Sequence, residues 1–149
     1  MPKKWAPRLL VCTIPEMLAT AHEILGERYR CDFSLSLNDA CGYLNTRPDA
    51  IICNLHFDEG RMFEFLAYVR AHPGTRDVPF IVLQTRKSLT PGTIKGIQSA
   101  SRTFGIDAFV EVFRVQQDHG RDVMATEVCE TIDRLLAAKQ RVPLSDENE

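Results

Sequence analysis

The chain has 149 residues, a hydrophobic fraction of 44% and a formal net charge of −2 from 18 basic and 20 acidic side chains. That length suits one compact domain with its own core, and so balanced a charge gives no basis for a nucleic-acid footprint or attraction to a membrane. No apolar run approaches the ~20 residues of a bilayer-spanning helix. Lys3 and Lys4 are followed by no apolar stretch of secretory length before Pro15, so a cytoplasmic location is expected. The cysteines, Cys12, Cys31, Cys41, Cys53 and Cys129, are odd in number and form no C-x-x-C pair. With His22, His56, His72 and His119 scattered among them, free and mostly buried thiols are expected, with no metal and no cofactor.

Residues 1–7 read as an N-terminal arm. The apolar run 9–14, without polar alternation, reads as a strand buried on both faces. Pro15 suits the first turn of a helix, on which Met17, Leu18, Ala21, Ile24 and Leu25 share one face before Gly26. Residues 31–37 alternate, as a second strand nearer an edge should. Ser36 or Asn38 can cap a short helix reaching about Thr46.

Pro48 and Asp49 lead into the third strand, 50–53, again continuously apolar. A helix from about Arg61 to Ala71 follows, with Phe63, Leu66, Ala67 and Arg70 in one stripe. His72, Pro73 and Gly74 stop it. The fourth strand is 78–83, with Pro79 at its entry, where no ladder donor is lost. A polar loop, 84–90, leads to Pro91 and a weak helix reaching about Phe104, where Gly105 is a suitable stop. Residues 108–112 form the fifth strand. The last helix runs from about Asp122 to Lys139, with Val128, Ile132, Leu135 and Leu136 facing inward, and 140–149 is expected to be a disordered acidic tail. Strands alternating with helices imply a parallel sheet covered on both faces, in a single domain spanning 8–139.

This order resembles the receiver domain of response regulators in two-component signalling and phosphorelays. Pro48 to Leu55 resembles the receiver's third strand, where a proline–aspartate pair leads to the phosphoacceptor aspartate; Asn54 stands at that position. Glu64, Leu66, Val69 and Arg70 follow the next helix's acidic–apolar–Arg pattern. Residues 78–83 resemble the fourth strand, and 105–109 the glycine-led entry to the fifth, with Phe109 at the aromatic switch position. The resemblance covers roughly residues 8–138. It implies a three-layer, doubly wound α/β fold of the flavodoxin type, with five parallel strands in the order 2-1-3-4-5.

The resemblance also allows the family's chemistry to be checked position by position. A receiver holds magnesium with an acidic pair after strand one and with the phosphoacceptor, because this ion wants hard, charged oxygen ligands. Cys12 and Thr13 occupy the pair's positions: a thiol is a poor magnesium ligand and a hydroxyl is neutral. The carboxamide of Asn54 cannot form an acyl phosphate as a carboxylate does. Gln84 aligns with the switch threonine, Val112 with the phosphate-pairing lysine and Phe113 with the proline after it. With all five polar positions changed, the resemblance implies a pseudo-receiver with no acyl-phosphate cycle.

Other readings compete at single residues. Asn54 is a ligand, a constitutive mimic of a phosphorylated state, or a neutral filler bonded to the neighbouring loop. Asp58 and Glu59 either bind a cation or form a solvated loop capping the next helix; Gly60 comes two places before the family's glycine position, held by Met62, so this loop is reshaped. Cys12 and Cys53 are a redox pair only if their strands are neighbours and their facing agrees; otherwise they are inert buried thiols. His56 lines the loop or acts as an acid or base. Arg86 and Lys87 receive an anion or are simply solvated, and Trp5 packs over the sheet end or anchors a partner.

The long connections 84–105 and 112–122 border the face of the fourth helix, fifth strand and last helix that receivers use for dimers and partners. Phe109, Glu111 and Phe113 are the candidate partner-binding residues. The expected role is a non-enzymatic protein-interaction module in signal transduction, acting by docking or self-association. The alternative is a small-molecule or redox sensor using the altered pocket around Cys12, Asn54 and Gln84.

Overall fold

In the computed structural model, residues 2–87 and 90–147 are described. Five strands, β1 (Arg8–Cys12), β2 (Arg30–Ser34), β3 (Ala50–Asn54), β4 (Phe80–Leu83) and β5 (Ala108–Val110), form one sheet in the order β2-β1-β3-β4-β5. Every neighbouring pair is parallel. This is the flavodoxin-type arrangement. The connecting helices are α1 (Leu18–Leu25), α2 (Leu37–Tyr43), α3 (Met62–Ala71), α4 (Pro91–Phe104), α5 (Val112–His119) and α6 (Arg121–Glu147).

The central strands are apolar on both faces because helices cover both. Leu10, Cys12, Ile51, Cys53, Phe80 and Val82 face α2 and α3, and pack on Leu37, Phe57, Met62 and Phe65. Leu9, Val11, Ala50, Ile52 and Ile81 face the other way, onto Leu25 of α1, Val112 and Val115 of α5, and Met124, Val128 and Ile132 of α6. The edge position of β2 agrees with its alternating sequence. Tyr29 ties that edge to α6: its hydroxyl donates to Asp133 Oδ1 at 2.6 Å.

Several expected boundaries move. The stripe Phe63, Leu66, Ala67, Arg70 is not the core face of α3. Met62, Phe65, Leu66 and Val69 are buried instead, while Phe63 stays 40% exposed, edge-to-face with Phe104 at 5.2 Å. Two overlapping apolar sets share the 3.6-residue period, and the one with more apolar volume takes the core. Strand five ends at Val110, and 112–122, expected as a loop, is helical from Val112 because Val112 and Val115 bury one face one turn apart. Gly120, at φ 91°, separates α5 from α6. The last helix continues to Glu147, so 140–147 of the expected disordered tail is helical; Asn148 and Glu149 lie outside the described residues.

Candidate functional site

The candidate site lies where β1, β3 and β4 end. Cys12 and Cys53 stand in direct register on adjacent strands and face the same side. Burial pushes the Cys12 thiol well above its usual range, its hydrogen bond and proximity to Cys53 push it further, and Asp39 adds to this. The pair's geometric condition is thus met, but their environment favours thiols over thiolates. Thr13 follows, buried, its backbone N–H donating to Ser34 O at 3.0 Å.

Asn54 closes β3 and is 2% exposed. Its Nδ2 donates to Thr85 Oγ1 at 2.8 Å, and its Oδ1 accepts from the His56 N–H at 2.9 Å. The carboxamide therefore ties the end of the sheet to two loops. A carboxylate there could only accept, from the Thr85 hydroxyl as from the His56 N–H. Gln84 is also buried. Its Nε2 donates to the Arg86 carbonyl, and its own backbone carbonyl accepts from the Phe113 N–H at 3.0 Å. Val112 caps the far side. It forms one wall of a cavity of about 40 Å³ that Cys12, Thr13, Asn54 and Thr85 also line. The structure thus brings Cys12, Thr13, Asn54 and Val112 onto one cavity, with Gln84 beside it.

The loop after β3 is reshaped. Asp58, Glu59 and Gly60 have φ of 44°, 57° and 90°, three successive left-handed residues. Asp58 does not cap the helix that follows: its Oδ2 accepts from the Leu37 N–H at 2.7 Å and so caps α2. Arg86 is not merely solvated; it bonds Glu16 at 2.7 and 3.3 Å, joining the loop after β4 to the loop after β1. The Arg86 hydrogen bond holds the Glu16 carboxyl below its usual range. Burial, then Arg86, hold His56 below the usual histidine range, with Glu16 opposing. Sequence spacing does not single out Thr85 or Glu16; the one signal is that Thr85 immediately follows Gln84.

Of the expected partner residues, Phe109 is half-buried against the α2–α3 face of the core. Glu111 pairs with Arg114 at 3.1 Å and accepts from Gln98 of α4 at 3.3 Å. Phe113 is half-buried, and Trp5 is exposed under the Lys3 ammonium.

A magnesium ion, which the receiver fold would imply, does not fit this donor set. The side chains at the mouth offer sulfur, hydroxyl and carboxamide where charged oxygens are needed. Among the described residues, no group of three or more His, Cys, Asp or Glu side chains is placed to hold a metal ion, and no helix is long and apolar enough to cross a membrane.

The sequence matches no protein-family model and no curated protein. The fold does match solved structures. A putative response regulator from Chloroflexus aurantiacus superimposes with a TM-score of 0.64 at 21% identity, over 89% of this chain and 98% of that one. The signal receiver domain of a histidine kinase from Syntrophus aciditrophicus gives 0.67 at 21% identity, over 89% and 92%. The receiver domain of a sensor histidine kinase from Pseudomonas aeruginosa, solved with magnesium coordinated in its active-site cleft, gives 0.65 at 17% identity, over 89% and 98%.

Proposed function

We propose that this receiver-fold chain is a non-enzymatic pseudo-receiver, a protein-binding module of a signalling system that works without a phosphoryl switch. The observation carrying this reading is the neutral mouth of the sheet: Cys12, Thr13 and Asn54 are buried there and none is a carboxylate. Docking or self-association would use the face of α4, β5 and α6. Support comes from α4, where no described side chain is buried, so the helix can shift onto a partner at little cost in core packing. Phe109, Glu111 and Phe113 border that face.

The test is incubation with magnesium and a small-molecule phosphodonor, or with beryllium fluoride, read by intact mass and amide spectra. No mass increment and no metal-dependent spectral change are expected. Stoichiometric modification of an aspartate would overturn the reading. For the face itself, hydrogen exchange across a concentration series should protect α4 and β5 if the chain self-associates. Of the sensor alternatives, the burial of Cys12 and Cys53 weighs against a redox role, whereas the cavity beside Val112 favours a ligand role.

A further inference from the structure

We propose that the cavity beneath α1 binds a small uncharged organic molecule, with one hydrogen-bond-accepting head and a chain of two to four carbons. Its walls are apolar: Met17, Ile24, Leu83, Val112, Met124 and Val128. Its rim carries Thr13, Asn54 and Thr85. The Thr85 hydroxyl accepts from Asn54, so its own proton points elsewhere, and Asn54 Nδ2 keeps a second proton beyond the one given to Thr85. Thr13, 5% exposed, places its hydroxyl-bearing side chain on the same rim. The rim therefore presents neutral donors above an apolar floor.

Size and charge narrow the class. A water-sized group needs roughly 10–15 Å³ on this measure. A cavity of about 40 Å³ thus takes about three such groups, with the head at the rim. A charged head is disfavoured because no counter-charge lines the wall and Arg86 already pairs with Glu16. The unbranched Met17 and Met124 can repack around ligands of slightly different shape. Val112 creates the room: a longer side chain starting there would occupy it. This inference does not depend on the interaction-module reading.

The test titrates propan-1-ol and butan-2-one into the full chain, labelled at its methyl groups, with propylammonium and propionate as charged controls. Saturable shifts centred on Met17, Ile24, Val112 and Met124 are expected, with the charged controls weaker by about tenfold or more. Val112→Leu, checked by thermal melting, should abolish them. Shifts that grow linearly, spread over surface methyls, appear equally with the charged controls or survive in Val112→Leu overturn the proposal. Should that variant not fold, a chain-length series decides. Affinity that peaks by four carbons upholds the proposal, and affinity that climbs steadily to hexan-1-ol overturns it.

Discussion

Asn54 is held at both ends of its carboxamide, and this makes the phosphoacceptor-like substitution Asn54→Asp informative. The aspartate can no longer donate to Thr85, only accept from its hydroxyl, and it places a carboxylate where no cation lines the wall. A cost of about 1–3 kcal/mol at neutral pH follows. Burial raises the folded-state pKa of that carboxyl above its unfolded value near ~3.9. The protonated form is therefore the tolerated one, and stability is lost as pH rises through the folded-state pKa. Urea unfolding should show a smaller penalty at pH 4.5 than at pH 8; an equal penalty at both would contradict the assignment. A second prediction concerns the thiols. Cys41 is partly exposed, Cys31 is pushed up to about 12 by burial and then Asp32, and Cys12, Cys53 and Cys129 are buried. Thiol titration with an aromatic disulfide should label Cys41 first, and Cys12 and Cys53 only on unfolding. That Cys12, Thr13, Asn54, Gln84 and Val112 fall at or just past the strand ends was legible from motif order alone. Their partners were not, because the bonds from Asn54 to Thr85 and from Arg86 to Glu16 span 31 and 70 residues.

Capping and strain decide matters at the level of elements. The sequence offered Ser36 or Asn38 as the cap of α2; Ser36 takes the role, its hydroxyl accepting from the Asp39 N–H at 3.2 Å, and Asp58 adds a second cap from across the sheet end. Holding Asp58 there forces the chain left-handed through Glu59, a conformation that costs a non-glycine residue roughly 1 kcal/mol. Glu59→Gly should therefore raise stability by about 0.5–1 kcal/mol in thermal or urea unfolding, because no hydrogen bond of its side chain is lost. Strand and helix order was readable because buried parallel strands are continuous apolar runs. The burial face of α3 was not, since Phe63 belongs to an equally periodic set, and neither was α5, whose Val112–Val115 spacing is a single turn long. The weak helix expected before Phe104 is present as α4, and the absence of any buried side chain among its described residues predicts amide exchange faster than in α3, where Met62, Phe65, Leu66 and Val69 are buried. Protection in α4 equal to that in α3 would show that α4 is docked more firmly than its burial indicates.

Across the whole molecule, Arg70 joins α3 to the entries of both β4 and β5, ahead of the residues those strands pair. From the last turn of α3, its Nη1 donates to the carbonyls of Arg76 at 3.0 Å and Val78 at 2.7 Å, fixing the loop into β4. Its Nη2 donates to the Gly105 carbonyl at 2.6 Å and to Asp107 Oδ2 at 3.1 Å, fixing the turn into β5. Asp107 in turn accepts from the Phe80 N–H at 2.7 Å, so one guanidinium sets the start of both strands. Gly105 belongs to the same device. At φ 83°, with a Cβ that would lie 3.1 Å from Arg70 Nε, it leaves room for the arginine to pass. Only a planar fork of donors reaches acceptors on two loops together; an ammonium keeps the charge but serves one side. Arg70→Lys should then cost about 2 kcal/mol, and Gly105→Ala a similar amount. Because both act on the same contacts, the double variant should cost clearly less than the sum of the two, as measured by urea unfolding. Strict additivity would mean that glycine and arginine stabilise the β4–β5 edge independently, and that its geometry is set by the strands themselves.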